Sequence, residues 1–344
     1  MALPLERSIV VSVYPLNDSV GVYARRLFSL GIFKELIMFK IINSYSDEGY
    51  DRAITYRFNF NGIFTFLSIY SGSRWSSEVS RQKMVHFTSP DYFHLSKYNE
   101  NSYGTVHDLF PIQGVEGFSA PYRLFFRKEM ERADRLKGIV AVSDVTRGAV
   151  SEMFPHLNIR RIHNWTGDEF RMRDKGQARR TLNLPLDRTV VLSVGSDLPR
   201  KNLDLLKEIV RGLGKDCLLV RLGRWQLGGG GSVLPVKKVP PGSVPLYYNS
   251  ADVLVAPSTH EGFDLPLIEA INSGTPVVAS DIPVHREVLR GQGELLNPHD
   301  PSPWVEAIRR AAEKGARWSG FGDYYRAKRA KEEYMALYGI DKPG

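Results

Sequence analysis

Short apolar runs alternate with stretches of helical periodicity along almost the whole chain, and this pattern restricts the fold more than any other feature. In the first half the runs are Ser8–Val13, Leu36–Ile42, Met84–Phe87, Gly104–Val106 and Ile139–Val142, and Ile159–His163 closes the series. Helical periodicity falls in Gly21–Leu30 and in Tyr122–Leu136. The second half repeats the arrangement with Thr189–Val194, Cys217–Leu222, Val253–Ala256, Val277–Ser280 and Glu294–Leu296. Runs rich in β-branched residues at this spacing predict parallel sheets covered by helices, an α/β class. Tyr50 to Ser80 is aromatic and β-prone and receives no assignment.

At 344 residues the chain is long for one domain and suits two. Between Asn164 and Leu184 the pattern breaks into polar, charged sequence. The expected division is 1–166 and 167–318, with a helical and highly charged segment, 319–344, beginning near Trp318. Gly228–Gly231 is the one low-complexity patch and reads as a mobile loop, since glycine holds neither helix nor strand well.

Composition excludes several classes. The chain is 42% hydrophobic, 11% aromatic and 24% charged, values that rule out wholesale disorder and collagen. Cys217 is the single cysteine, so no internal disulfide is possible. The formal charge of +8 and the pI near 9.4 favour anionic partners. No stretch approaches the roughly 18 apolar residues of a membrane helix, and Glu6 and Arg7 precede Ser8–Val13 where a signal peptide would need another pattern. The expected location is cytoplasmic, with peripheral contact at the inner membrane face.

The chemistry concentrates in three segments. Ser258-Thr259-His260-Glu261-Gly262-Phe263-Asp264-Leu265-Pro266-Leu267-Ile268-Glu269-Ala270 directly follows a strand. Asp264 reads as an N-cap, Pro266 fits a first turn and Gly274 marks the helix stop. Glu261 then lies on the loop at the strand's carboxyl end and Glu269 a little over one turn into the helix. In an open α/β sheet that crevice takes ligands, and the helix N-terminus offers N–H groups to a phosphate. Two carboxylates beside a phosphate should face hydroxyls, where a charge-assisted bond contributes about 1.5–3 kcal/mol. The competing reading is a solvated helix glutamate.

The second segment is Val194-Gly195-Ser196-Asp197-Leu198-Pro199-Arg200-Lys201-Asn202. Two cations stand just before a helix that Asn202 is expected to cap, with Leu203, Leu206, Val210 and Leu213 on one face. A unit charge pair at 4 Å is worth about 4 kcal/mol at an effective dielectric near 20. Arg200, Lys201 and the helix dipole could hold a leaving diphosphate; the alternative is an ordinary basic turn. The third segment, Tyr103-Gly104-Thr105-Val106-His107-Asp108-Leu109-Phe110, ends a strand of the first half. His107 could orient a sugar hydroxyl, and Asp108 could fix its tautomer or bind an acceptor. By itself this pair is a weak signal beside that of a capped strand end.

Together these residues resemble the retaining glycosyltransferases of family 4, also called glycosyltransferase group 1. EGFDLPLIEA with its Glu-x7-Glu spacing, PRKN after a Val-Gly strand and VHDLF carry the likeness. Tyr247–Asp252, Ser273–Ser280 and Gly21–Leu27 support it. The resemblance implies a GT-B fold, two Rossmann-like doubly wound domains facing a central cleft. The donor nucleotide-sugar would sit mainly on the C-terminal domain, the acceptor on the N-terminal one, and the last helix would cross back to the N-terminal domain. Arg200 and Lys201 would hold the diphosphate, near Gly195 and Ser196. Glu269 would hold the ribose, Glu261 would touch the sugar, and the Gly262, Phe263, Asp264 and Leu265 amides would assist. His107 would reach the donor sugar, and the loop at Gly21 would lie near the phosphates. Two departures stand out: Ser196 where many members have arginine, and Asp264, an extra carboxylate beside the donor, where many have glycine.

The expected reaction is transfer of a hexose from a UDP- or GDP-sugar to a glycan, lipid-linked or protein acceptor, with retention and no covalent intermediate. The sequence contains no Asp-x-Asp pair, and no metal or other cofactor is expected. A GT-B phosphorylase or nucleotide-sugar epimerase shares these features. A basic nucleic-acid or membrane binder is the rival from another class, through Arg123, Arg127, Lys128, Arg132, Arg135 and Lys137 among apolar neighbours. No zinc spacing or RNA-binding motif supports nucleic acid. A dinucleotide oxidoreductase lacks its GxGxxG after an early strand.

Overall fold

The computed structural model describes residues 5–15, 18–41, 46–56, 73–223, 232–314 and 321–341. The chain forms two compact units, Met1–Asn164 with Lys328–Gly344, and Trp165–Ala327.

The first unit holds a seven-stranded sheet: β1 (Ser8–Ser12), β2 (Glu35–Ile41), β3 (Arg52–Tyr56), β4 (Met84–Phe87), β5 (Ser102–Val106), β6 (Gly138–Ala141) and β7 (Ile159–Arg161). Its order is β3-β2-β1-β4-β5-β6-β7 and its pairings are parallel. Ile9, Val10 and Val11 are buried together, as expected of a strand covered on both faces. β3 and the helix Ser73–Arg81 fall in the unassigned stretch, part of which, with Gly62–Tyr70, lies outside the described residues. The helix expected over Tyr122–Leu136 runs over Ala120–Glu131 and tightens into a 3-10 turn at Arg132–Arg135.

The second unit repeats the winding in six strands. β8 (Thr189–Val194), β9 (Cys217–Leu222), β10 (Val233–Val236), β11 (Val253–Ala256), β12 (Val277–Ser280) and β13 (Glu294–Leu296) lie in the order β10-β9-β8-β11-β12-β13. The edge strand β10 has no strong sequence signature because it contains Pro235, which an edge tolerates. The helix Leu203–Leu213 buries Leu205, Leu206, Ile209 and Leu213, while Leu203 and Val210 are only partly buried. The buried stripe is therefore rotated from the expected one, and Leu206 and Leu213 belong to both. Gly228–Gly231 lies outside the described residues.

The last helix spans Ala327–Tyr338 and starts later than the sequence suggests. It belongs to the first unit through a buried polar network. Tyr334 Oη shares a 2.5 Å hydrogen bond with Tyr23 Oη, which also meets Thr105 Oγ1 at 2.6 Å. Tyr338 Oη and Thr105 Oγ1 lie 2.8 Å from the two ring nitrogens of His86.

Candidate active site

β8 and β11 are neighbours in the second sheet: Val191 and Leu192 pair with Val253 and Leu254.

 The 58 residues between Val194 and Val253 leave and return to the sheet, so the loops after β8 and β11 meet at the point where the strand order reverses. That is where an open α/β sheet leaves room for a ligand.

The loop after β8 carries Arg200 and Lys201 in a 3-10 turn, Pro199–Lys201, ahead of the helix. The loop after β11 carries Glu261 and Asp264. Arg200 Nη1 donates to Glu261 Oε2 at 2.6 Å and to the His260 carbonyl at 3.3 Å. Lys201 Nζ stands 2.5 Å from Glu261 Oε1 and 3.5 Å from Asp264 Oδ1. The Arg200 carbonyl accepts from Thr259 N at 2.8 Å, which ties the two loops together through the main chain. Gly195, at φ +143°, leaves room for the lysine stem; a Cβ there would lie 3.2 Å from Lys201 Cε.

The two loops pair their charges with each other. Glu261 directs its carboxylate at the two cations, and Asp264 is held by Lys201 and by His285 Nε2 at 3.1 Å, its side chain only 2% exposed. Burial opposes ionisation of Asp264, but Lys201 and the His285 hydrogen bond outweigh it and hold the carboxyl below the usual range. Burial alone would lower the Lys201 pKa, yet Asp264 and Glu261 raise it. The cations are thus charged and internally neutralised.

Neither expected cap is a side-chain cap. Asn202 sits at φ +51°, and its Nδ2 donates to the Pro298 carbonyl at 2.8 Å. Asp264 sits at φ +70° before the helix Leu265–Asn272. Both positions are left-handed, a conformation that asparagine and aspartate adopt more readily than most residues. The positive φ at 264 is the physical reason a glycine also suits that position. Ser196 is exposed, Leu265 half-buried and Phe263 buried, with the Phe263 ring edge-on to Tyr325 at 5.9 Å. Glu269 is buried and accepts from Tyr248 Oη at 2.7 Å.

His107, Asp108 and Gly21 belong to the first unit. His107 directly follows β5, donates Nε2–H to the Thr88 carbonyl at 2.8 Å and packs edge-to-face with Tyr23 at 4.8 Å. Thr88, rather than Asp108, therefore fixes the tautomer, leaving Nδ1 as the acceptor. Burial lowers the His107 pKa to about 4, so the ring is neutral near pH 7. Asp108 Oδ1 accepts from Phe110 N at 3.1 Å and caps a short turn of helix. Gly21 is buried inside the helix Ser19–Ser29 and not in a loop.

Tyr248, inside the Tyr247–Asp252 segment, carries no assigned role in the sequence, and two further residues beside the site, His285 and Arg221, have no sequence signal of their own. Each lies on an element whose apolar neighbours dominate the pattern, and only the folded sheet brings them to the two loops.

Residues 174–328, nearly all of the second unit, match the family model of the glycosyl transferases group 1. The second unit is a glycosyl transferase group 1 domain. The chain is similar to the O-antigen chain mannosyltransferase RfbU of Salmonella typhimurium, 43% identical over 79 residues, which cover 23% of this chain and 22% of that one. It is similar to D-inositol 3-phosphate glycosyltransferase 2 of Catenulispora acidiphila, 34% identical over 202 residues, covering 51% and 45%. These matches span less than half the length of the curated relatives. HepE of Anabaena, solved with UDP and glucose, superposes with a TM-score of 0.77 at 12% identity over 96% of this chain and 99% of that one. The fold of the two units is the GT-B fold of glycosyltransferases.

Proposed function

We propose that the chain is a retaining glycosyltransferase, transferring a hexosyl group from a nucleoside-diphosphate sugar to an acceptor hydroxyl. The observation that carries this reading is the meeting of Arg200, Lys201 and Glu261 where the second sheet reverses, beside the helix bearing Glu269. In the transfer the bond from the anomeric carbon to the diphosphate oxygen breaks, and one to the acceptor oxygen forms. The acceptor loses its hydroxyl proton and the diphosphate leaves as an anion. Fixed cations and helix N–H groups stabilise charge on that leaving group more in the transition state than in the ground state.

Binding requires the anion to take over contacts that Glu261 now makes. Once displaced, Glu261 is available to the sugar hydroxyls, and Glu269 is set in the helix to meet the ribose. Arg200 and Lys201 supply the positive charge, so the reading includes no metal. HepE, solved with UDP and glucose, makes UDP-hexoses the first donors to try, with GDP-hexoses, the other expected class, beside them.

The test is a thermal-shift panel of UDP-, GDP- and ADP-sugars, followed by product analysis with and without acceptor. A true donor raises the melting temperature by mass action. A panel with no shift, or a product formed by phosphorolysis or epimerisation, would reject the transfer reading. Activity unchanged by EDTA is expected, and its loss would reject metal independence.

Peripheral membrane contact has a separate support. Among the described residues no helix is long and apolar enough to cross a membrane. The helix Ala120–Glu131 exposes Arg123, Arg127 and Lys128 beside Leu124, which is 56% exposed. A surface of this chemistry suits anionic lipid, where a lipid-linked acceptor resides. Co-sedimentation with anionic vesicles at low salt is expected, and background levels there would dispose of it.

A further inference from the structure

Arg221 on β9 is 1% exposed, and among the described residues it forms no ion pair. The other buried arginine, Arg179, shows the usual arrangement: its Nη2 meets Asp252 Oδ2 at 2.5 Å. Arg221 instead spends its fork on neutral acceptors. Nη1 donates to Ser193 Oγ at 3.0 Å, and Nη2 donates to the carbonyls of Gly195 at 2.9 Å and Ser196 at 2.6 Å. Nε has no partner. Burial lowers the Arg221 pKa to about 10, partly offset by Asp197 and Asp264 from beyond ion-pair distance, so the group stays charged near pH 7.

A charge buried without a close counter-ion is unfavourable. Its position suggests a use for it. Arg221 lines one small cavity with Lys201, Asp264 and Ser193, beneath the turn that follows β8. Two successive carbonyls of that turn point in at the guanidinium. In a trans peptide the N–H of the next residue points the opposite way, so the Ser196 and Asp197 amides are turned away from Arg221. Gly223 closes the arrangement, because a Cβ there would run into the Gly195 carbonyl oxygen.

We propose that Arg221 is a positioning residue of the diphosphate subsite: it holds the Gly195–Ser196 turn with its amides outward and adds an un-neutralised positive charge behind it. The inference rests on the glycosyltransferase reading above and deepens it. It also accounts for Ser196, since the guanidinium that many members carry on the loop is supplied here from β9.

The experiment is calorimetric titration of the full chain with inorganic pyrophosphate, with UDP, GDP and ADP, and with the matching nucleosides, before and after Arg221→Met and Arg221→Lys. Arg221→Met should weaken pyrophosphate and the accepted nucleoside diphosphate roughly tenfold or more, and the nucleoside less than about twofold. Arg221→Lys, which keeps the charge and loses the fork, should fall between. Equal losses for diphosphate and nucleoside, or no loss in either, overturn the inference and leave the glycosyltransferase reading intact. A wild-type chain that binds none of the three diphosphates overturns that reading and this one with it. Should Arg221→Met not fold, the lysine variant decides by the same selectivity.

Discussion

Lys201 and Glu261 show how single side chains set the site. A lysine 2.5 Å from one carboxylate and 3.5 Å from another has its charge fixed before any ligand arrives. Lys201→Ala should lower kcat by roughly 100-fold or more, since it removes charge stabilisation at the leaving group; near-normal turnover would refute that assignment. Glu261→Gln separates two roles. It frees the cations, so pyrophosphate affinity should rise a few-fold in calorimetry, while transfer falls if the carboxylate also holds the sugar. Pyrophosphate affinity that falls in this variant would contradict the competition. The residue types here were legible in the sequence, because cations and carboxylates at strand ends are conspicuous. Their mutual pairing was not, because two loops far apart in sequence announce no distance. Asn202 and Asp264 stand at the expected N-cap positions without a side-chain cap bond for a related reason: a sequence shows a capping residue type but not its φ.

At the scale of elements, the C-terminal helix and the strand-end loops depend on buried contacts. The His86 pKa is lowered to about 3 by burial, and that of His107 to about 4. Both folded-state values lie below the ordinary 6.5, so the unfolded chain takes up protons first as pH falls. Stability is therefore fully present above about pH 6.5 and declines below it, by about 1.4 kcal/mol per pH unit for each histidine until the folded value is reached. Hydrogen-exchange protection of β1, β4 and β5 should be flat above pH 7 and fall between pH 6.5 and 4; constant protection would contradict the buried neutral rings. Tyr338→Phe should cost about 1–3 kcal/mol, because it leaves the His86 ring nitrogen without its partner. Gly223→Ala forces a side chain against the Gly195 carbonyl at φ +132° and should lower the melting temperature markedly, with nucleotide binding lost together with the turn.

Over the whole molecule, the presence of two parallel sheets follows from features written along the chain. Apolar runs at regular spacing demand burial on both faces, and helices of matching length provide it, so the fold class and most strands could be read without coordinates. Local chemistry did the same for the glutamates and cations, since motif spacing is a property of neighbouring residues. What needed the folded chain was every relation between distant segments. Adjacency of β8 and β11 sets Arg200 against Glu261, the return of Tyr334 and Tyr338 completes the first unit, and Arg221 meets the Gly195 turn through the register of β9 on β8. The physical reason is that periodicity reports which face a residue buries, whereas contact partners depend on how the chain closes its loops, and loop closure leaves no mark on local sequence.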